Sequence, residues 1–209
     1  MHQYFIKTPW LVKKLFSTYV WDVPTTEPIV YPSFDDGPHP TITPWVLDQL
    51  MAHNAKATFF CIGKNIEQYP NVYKRIIEEG HAVGNHTQNH LNGWKTSTPK
   101  YLDNIAEATK WIDSPLFRPP YGRIRSKQAD KIKEAMKRSD AKIVMWDVLS
   151  ADFDQEITSE QCVKNVLDNT TAGSIIVFHD SEKAFANLSH ALRIVLKELT
   201  NRGYRFEKL

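Results

Sequence analysis

The stretch PIVYPSFDDGP, residues 28–38, joins an apolar run typical of a β-strand to two adjacent aspartates and a Gly-Pro pair. Two carboxylates this close raise each other's pKa unless a positive group lies between them. Asp-Gly before proline is also favourable turn chemistry, so a purely structural turn is the alternative interpretation. The stretch therefore raises the question of which positive group faces Asp35 and Asp36.

Length and composition indicate one globular α/β domain. The chain has 209 residues, of which 42% are hydrophobic, and a formal net charge of +2. No basic run is long enough to indicate a nucleic-acid partner. The two cysteines, Cys61 and Cys162, make no disulfide framework, so they leave the redox compartment open.

The first 28 residues form a segment of their own in the sequence. It is apolar and aromatic but is interrupted by Lys13 and Lys14, which predicts an N-terminal amphipathic segment over residues 1–28 before a catalytic domain over residues 29–209. The segment shows no signal-peptide pattern and is too short and too charged to span a bilayer. We expect it to pack on the domain, with peripheral contact to a membrane as the alternative. A cytoplasmic or membrane-associated location is favoured.

Seven short apolar runs favour β-strands, and helical patterns lie between them. Their strict alternation indicates a parallel sheet covered by helices, and an open doubly wound sheet and a closed barrel both fit it. Proline at position 32 lacks a hydrogen-bond donor, which predicts a bulge or an early end of the first strand. The predicted strands cover residues 29–34, 57–62, 81–84, 116–118, 142–146, 174–178 and 204–206.

Chemically active side chains follow most of these runs. In both parallel architectures the functional residues lie at the carboxyl ends of the strands. Residues from five strand ends are therefore expected to converge on one rim. In chain order they are Asp35 and Asp36, His86 and His90 in NHTQNH, Arg118 in FRPPYG, Asp147 and Asp152 in WDVLSADFD, and His179 and Asp180 in SIIVFHD.

His86 and His90 are four residues apart, which places two imidazoles on one side if the segment turns helically. Two histidines and one carboxylate are a common ligand set of catalytic metal ions. A cation there would be the positive group that faces the aspartates. One aspartate would bind it, and the other would accept a proton from a water molecule whose pKa the metal lowers. A surface histidine pair without ligands is the alternative, and the neighbouring aspartates favour the metal.

The motifs SFDDGP, HTQNH and RPPYG, with a late strand that ends in histidine, resemble those of the polysaccharide deacetylase family, carbohydrate esterase family 4. The resemblance runs from about residue 29 to the C-terminus, and several ordered motifs are more specific together than any one alone. It implies an α/β fold, a distorted (β/α) barrel with about seven parallel strands. It also implies a metal-dependent hydrolase that removes N-acetyl or O-acetyl groups from carbohydrate polymers.

The resemblance also implies roles for single residues in catalysis. Asp35 resembles the general base, and Arg118 resembles the residue that orients it. His179 resembles the general acid, and Asp152 resembles the carboxylate that holds this histidine, with Asp147 as a rival. The backbone N–H of Tyr121 is similar in place to the donor that stabilises the oxyanion.

Metal and substrate contacts follow from the same motifs. The implied metal ligands are Asp36, His86 and His90, with zinc favoured and cobalt, nickel or manganese as alternatives. Val177, two residues before the histidine of the late strand, would line the acetyl pocket. The implied substrate contacts also include Phe153, where the family usually has tryptophan, and Trp94, which either stacks on a sugar ring or packs a loop.

The sequence therefore predicts a hydrolase of carbohydrate metabolism that removes N-acetyl groups from a peptidoglycan- or chitin-type glycan. Two alternatives stay open at this point. One is a hydrolase of a small non-glycan amide or ureide, which the lack of an evident signal peptide favours. The other is a carbohydrate-binding protein without catalysis.

Overall fold

Strand β1 (Ile29–Asp35) is the central strand of a curled parallel sheet in the computed structural model, which describes residues 4–209. The other strands are β2 (Thr58–Cys61), β3 (Ala82–Asn85), β4 (Leu116–Phe117), β5 (Lys142–Ile143), β6 (Val148–Leu149), β7 (Ile175–His179) and β8 (Arg205–Phe206). The helices are α1 (Trp10–Leu15), α2 (Ile42–Ala52), α3 (Gly63–Gln68), α4 (Pro70–Glu78), α5 (Thr98–Ala108), α6 (Ser126–Ala129), α7 (Ile132–Ala135), α8 (Ser159–Leu167) and α9 (Glu182–Asn201).

Seven strands follow the order β5-β4-β3-β2-β1-β7-β6, and β8 pairs with the start of β1. The strand pairings within this sheet are parallel. β5 and β6 lie at opposite ends of this order, so the sheet curls into a half-barrel whose two edges do not pair with each other. The predicted distorted barrel with about seven parallel strands is confirmed.

The predicted strand over residues 142–146 is wrong in its extent, and β6 was not predicted. β5 ends at Ile143 because the residues after it pair with the N-terminal segment: Val144 forms a bridge with Val20, and the Met145 N–H donates to Val20 O at 2.7 Å. The Asp147 N–H then donates to Ile175 O on β7 at 3.0 Å. Residues 144–147 thus carry the chain from one edge of the sheet to the other.

Pro32 neither bulges nor ends β1, so that expectation is wrong. The strand stays in register with β7 from Tyr31 to Asp35. The Tyr31 N–H donates to Ser174 O, directly before β7, so the nitrogen of Pro32 faces the other side of the strand. On that side, pairing with β8 stops at Val30 and pairing with β2 starts at Ser33. Pro32 lies between the end of the pairing with β8 and the start of the pairing with β2. Its missing N–H therefore leaves no hydrogen bond of the sheet unmade.

Alternation along β1 divides the interior of the protein into two regions. Val30 and Phe34 face the helices, and the Phe34 ring stacks on those of Phe59 and Phe178 at centroid distances of 5.1 and 5.8 Å. Ser33 and Asp35 point to the opposite face, inside the half-barrel. The apolar helix-facing core therefore fixes the strand register, and that register places the polar side chains inside the half-barrel.

The N-terminal segment lies along the open side of the half-barrel. Lys7 forms an antiparallel bridge with Val148, the Thr8 N–H donates to Asp147 O at 2.8 Å, and Asp22 bridges with Ser174. Among residues 4–28, which the structure describes, only α1 is helical, and it has six residues. The predicted amphipathic segment begins at residue 1, and residues 1–3 lie outside the described residues.

Membrane contact of this segment, and a cytoplasmic or membrane-associated location, stay predictions. Several apolar side chains of the segment are exposed; they are Phe5, Trp10, Leu11, Leu15 and Phe16. Within residues 4–209, no helix combines the length and the apolar character needed to traverse a bilayer.

Candidate active site

One cleft of about 700 Å3 collects side chains from the carboxyl ends of five strands. β1 supplies Asp35 and Asp36, and the loop after β3 supplies His86 and His90. Tyr121 follows β4, Leu149 and Phe153 come from β6 and its loop, and Val177 and His179 come from β7. The parallel arrangement gathers these ends at one edge, as in other α/β folds.

Three side chains of the cleft form a set that could hold a metal ion. Asp36, His86 and His90 each offer one ligand atom, and these atoms lie within 4.8 Å of one another. Asp36 Oδ1 is 3.1 Å from His90 Nε2 and 3.7 Å from His86 Nε2. Among the described residues no hydrogen bond reaches this buried oxygen. Because a buried carboxylate oxygen without a partner is unfavourable, the set fits a cation bound among the three atoms.

The two histidines meet through a turn and not through a helix. Residues 86–92 contain no helix, and Thr87 and His90 have φ angles of 65° and 54°. The Thr87 N–H donates to Asn85 Oδ1 at 2.8 Å, and Thr87 Oγ1 accepts the Leu91 N–H at 3.2 Å. The helical explanation of the four-residue spacing is therefore wrong, although the two imidazole centroids do lie 5.1 Å apart.

His86 is held in the form that binds metal ions. Its Nδ1 lies 2.7 Å from Arg118 O, and because a carbonyl oxygen only accepts, Nδ1 carries the proton. Nε2, which faces Asp36, then keeps its lone pair. Complete burial lowers the pKa of His86 to about 4 in spite of the carboxylate of Asp35. The neutral ring is therefore oriented by its other nitrogen, as in many metal-bound histidines.

The charged form of Asp36 is favoured by the histidines around it. Burial acts to raise the pKa of Asp36, but contact with His90 and the charge of His179 outweigh burial and lower this pKa. The carboxylate is therefore ionised at neutral pH, which is the state needed for a ligand.

Asp35 is paired with a fully buried arginine. Arg118 Nη1 donates to Asp35 Oδ1 at 2.7 Å and to Ser33 Oγ at 2.8 Å, and its other nitrogens donate to carbonyl oxygens of residues 144–145. Burial lowers the pKa of Arg118, and the Asp35 carboxylate acts in the opposite direction. Asp35 Oδ2 lies 4.0 Å from His86 Nε2, on the side of the set that could hold a metal ion. One oxygen of Asp35 is thus anchored, and the other is left for the cleft.

His179 is paired with Asp152, and Asp147 lies elsewhere. His179 Nδ1 is 2.8 Å from Asp152 Oδ1, and the His179 backbone N–H donates to Asp152 Oδ2 at 2.8 Å. Asp147 instead contacts two lysines of the N-terminal segment. Burial opposes the charged form of His179, but Asp152 and the two cleft aspartates outweigh it and raise the pKa of His179 to about 9.

The predicted substrate contacts line the same cleft. Val177 is buried in its wall, and the Phe153 ring meets the His179 ring edge-on, with centroids 5.0 Å apart. Trp94 is 53% exposed, and the Arg123 guanidinium lies over its ring at 4.0 Å. Tyr121 has a φ of 60°, which turns its backbone sharply after β4.

Sequence reasoning missed several residues of the cleft. Trp146 and Tyr4 line it although neither was given a role, and Lys95 and Lys183 lie at its rim. Lys95 follows Trp94 in a loop and Lys183 lies in the first turn of α9, and neither belongs to a distinctive pattern, so no local signal points to them. Trp146 and Tyr4 reach the cleft only because residues 144–147 and the N-terminal segment cross the open side of the half-barrel.

Asp180 supports the turn that carries Asp36, and sequence reasoning gave it no role. This buried carboxyl accepts the Gly37 N–H at 3.0 Å through Oδ1 and a hydrogen bond from Thr43 Oγ1 through Oδ2. A Cβ on Gly37 would lie 2.1 Å from Asp180 Oδ2, so only glycine fits there. Burial, together with the charge of Asp36, raises the pKa of Asp180 to about 8. The signal available in the sequence was an aspartate directly after the strand-end histidine.

Comparison with known proteins places this geometry in a family. The model of the family described as polysaccharide deacetylase matches residues 22–142. A peptidoglycan-N-acetylglucosamine deacetylase of Bacillus cereus is 38% identical over 192 residues, which cover 89% of this chain and 88% of that protein. A chitooligosaccharide deacetylase of Azorhizobium caulinodans is 33% identical over 198 residues, which cover 86% of this chain and 92% of that protein.

Solved structures agree with the sequence matches. The crystal structure of a peptidoglycan N-acetylglucosamine deacetylase in complex with a substituted N-oxidanyl-benzamide superposes with a TM-score of 0.83 at 35% identity, covering 92% of this chain and 91% of that chain. The peptidoglycan deacetylase PdaC of Bacillus subtilis superposes with a TM-score of 0.77 at 27% identity and 90% coverage of both chains. Since the matches in sequence and in structure both span most of the molecule, this chain belongs to the polysaccharide deacetylase family, as its motifs predicted.

Proposed function

We propose that this protein is a metal-dependent hydrolase that removes N-acetyl groups from a glycan of the peptidoglycan or chitin type. The observation that carries the proposal is the ligand set of Asp36, His86 and His90, whose three ligand atoms lie within 4.8 Å of one another. An arginine-held carboxylate and a carboxylate-held histidine stand in the same cleft. Relatives named as deacetylases of peptidoglycan and of chitooligosaccharides support this substrate class.

Asp36, His86 and His90 would hold the cation, and we propose zinc. Two imidazole nitrogens and one carboxylate oxygen are a ligand set that zinc accepts in catalytic sites, and cobalt, nickel or manganese fit the same donors. A bound divalent cation supplies Lewis acidity to the acetyl carbonyl.

Two side chains of the chain would move the protons. Asp35 accepts the proton of the attacking water at Oδ2, because Arg118 anchors Oδ1 and leaves Oδ2 for the cleft. His179 donates a proton from Nε2 to the amide nitrogen as the C–N bond breaks, since its Nδ1 is engaged by Asp152. An amine leaves readily only when it is protonated, so this donation is needed for cleavage.

Backbone and apolar groups would position the acetyl group. The Tyr121 N–H is the proposed donor to the oxygen on which negative charge develops, where a fixed donor has its largest effect. Val177 and Phe153 would enclose the acetyl methyl group, and Trp94 would face a sugar ring.

The proposal is tested by acetate release. Purified protein reconstituted with zinc is given N-acetylglucosamine oligomers, and we expect free acetate and free amine in equal amounts. Asp35→Asn should reduce turnover by at least about 100-fold because the proton acceptor is lost. The metal content of this variant, measured by mass spectrometry, should equal that of the wild type, whereas His90→Gln should lose metal.

Three results would contradict parts of the proposal. Full activity of Asp35→Asn would remove Asp35 from catalysis. Turnover of small amides or ureides without turnover of glycans would favour the alternative hydrolase. Glycan binding without acetate release under any metal would favour a carbohydrate-binding protein.

A further inference from the structure

A second groove, of about 310 Å3, lies beside the catalytic cleft. We name it the N-terminal groove because Tyr4, Phe5, Phe16, Tyr19 and Trp21 of the N-terminal segment line one side of it. The residues after β4, from Tyr121 to Ile124, line the other side. The roles implied by the family motifs do not extend to the N-terminal segment, so the groove is a feature that those motifs leave unexplained.

The groove adjoins the cleft. Six residues line both; they are Tyr4, Trp94, Tyr121, Arg123, Trp146 and Leu149. The two spaces therefore lie next to each other along these residues. A linear molecule whose reacting unit lies among the metal ligands can extend past Trp94 and Tyr121 into the groove.

The lining of the groove matches the chemistry of a sugar ring. The Phe16 and Tyr19 rings stack with centroids 5.7 Å apart, and Tyr19 is followed by Trp21 at 6.3 Å, which gives a continuous aromatic surface. The C–H groups on one face of a pyranose are weakly positive, so they pack on the negative faces of aromatic rings. Arg123 and Ser126 add hydrogen-bonding groups for hydroxyls at the edge of the same groove.

We propose that the N-terminal groove binds a neighbouring sugar unit of the same glycan chain while another unit reacts in the cleft. This inference rests on the proposed function and adds a substrate class to it: oligomers and polymers long enough to fill both spaces are preferred over the disaccharide. The segment over residues 4–21 is then part of the substrate-binding surface and not only a cover for the open side of the half-barrel.

The exposed side chains of the segment offer a matched control. Phe16 and Phe5 are 47% and 63% exposed and line the groove, so their truncation removes binding surface with little loss of core. Trp10 is 70% exposed in the same segment but lies outside the groove, with the Lys14 ammonium over its ring at 4.9 Å. Trp10→Ala removes an aromatic ring of the same segment without touching the groove.

The test compares defined N-acetylglucosamine oligomers of two to six units. We expect wild-type kcat/KM to rise with chain length, and Phe16→Ala to lower the hexamer-to-dimer ratio of kcat/KM about fivefold, the size of one lost stacking contact. Phe5→Ala should lower the ratio in the same direction, which guards against a local folding defect at Phe16. Trp10→Ala should leave the ratio unchanged.

Binding separates this inference from the proposed function. In the inactive Asp35→Asn background with zinc bound, calorimetry should show tighter binding of the hexamer than of the dimer, and Phe16→Ala should remove that gain. If the wild type releases no acetate but the hexamer still binds more tightly through Phe16, the proposed reaction fails and the groove stands. If Phe16→Ala, Phe5→Ala and Trp10→Ala all give the same hexamer-to-dimer ratio of kcat/KM and the same gain in affinity from dimer to hexamer, the groove does not bind glycan.

Discussion

Several residues around the cleft hold backbone angles that non-glycine residues rarely adopt. Asp36, Thr87, His90, Tyr121 and Ala151 have φ angles of 83°, 65°, 54°, 60° and 61°. Such conformations cost on the order of 1–2 kcal/mol each and persist only where the surroundings enforce them. In this site they direct the side chains of Asp36 and His90, and the backbone next to Asp152, toward the cleft. At this scale the site consists of strained turns held by a rigid sheet.

The pH dependence of the reaction provides a test of the His179–Asp152 pair. The pKa of His179 is raised to about 9, so the acid form is present below that pH and the rate should fall as pH rises through it. Asp152→Asn removes the main cause of the upward shift, and the pKa should fall toward the ordinary value of about 6.5. We therefore expect the alkaline limb of the kcat/KM profile to move to lower pH in the variant. Steady-state kinetics between pH 5 and 10, with matched metal content, measures this.

Asp147→Asn is the matched control for that experiment. Asp147 belongs to the same motif as Asp152, WDVLSADFD, but it contacts Lys7 and Lys13 and lies away from His179. Its loss should leave the alkaline limb in place. An equal displacement of the limb in both variants would show that Asp152 does not set the charge of His179.

At the scale of elements, the N-terminal segment is attached to β6 and β7 through one buried carboxylate. Asp147, 2% exposed, accepts hydrogen bonds from Lys7 at 2.6 Å, Lys13 at 2.5 Å and Ser174 at 2.5 Å. Burial acts to raise the pKa of Asp147, but these donors outweigh burial and lower it. The segment therefore depends on an ionic contact as well as on backbone pairing, and one side of the N-terminal groove depends on the segment.

The stability of this attachment should depend on pH in a defined direction. Because the native pKa of Asp147 lies below its ordinary value of 3.8, its stabilisation is complete above that value and is lost as pH falls through the native pKa. Asp147→Asn should lower the free energy of unfolding at pH 7 by about 2 kcal/mol, less than for a fully buried pair since both lysines reach solvent. Urea denaturation at pH 7 and at pH 3 should show the difference shrinking at the lower pH. Asp22→Asn, which removes an exposed partner of Lys13, should cost under about 0.5 kcal/mol.

At the scale of the whole molecule, the charge is nearly balanced but unevenly placed. The net charge is only +2, yet Lys95, Arg123 and Lys183 all line the catalytic cleft, and none of them forms an ion pair within residues 4–209. The cleft aspartates face inward to Arg118 and to the metal ligands. The rim therefore presents positive charge to an arriving substrate, which favours glycans that carry carboxylates.

Salt dependence tests this charge preference. With a peptidoglycan fragment that carries free carboxylates, KM should rise with ionic strength, and the double variant Lys95→Gln/Lys183→Gln should raise KM about two- to fivefold at low salt. A neutral N-acetylglucosamine oligomer of the same length should show neither effect. Lys100→Gln, a lysine outside the cleft, serves as the control. Equal effects on the KM of both substrates would mean that Lys95 and Lys183 do not distinguish charged from neutral substrates.

Much of this architecture could be predicted because its signals are local. The alternation of apolar runs and helical patterns determines the α/β class, because the spacing of apolar residues in each segment shows which of its faces is buried. Parallel strands must place their carboxyl ends together, so polar residues after several strands predict one shared site. Asp35, Asp36, His86, His90, Arg118 and His179 were found in this way, and all of them lie in or beside the cleft.

Other features were decided only by the tertiary structure. β6 and the crossing over residues 144–147 depend on Val20 and Ile175, which are far away in the chain. The choice of Asp152 over Asp147 beside His179 depends on which carboxylate meets the lysines of the N-terminal segment.

The sequence alone determined the class of the sheet, the family and the residues that could bind a metal, because residue type and spacing along the chain carry that information. The tertiary structure alone decided the walls of the cleft, the partner of His179 and the groove beside the site. These features arise from contacts between segments distant in sequence, such as Tyr4 with Phe153 at 5.6 Å, and no local pattern records such contacts.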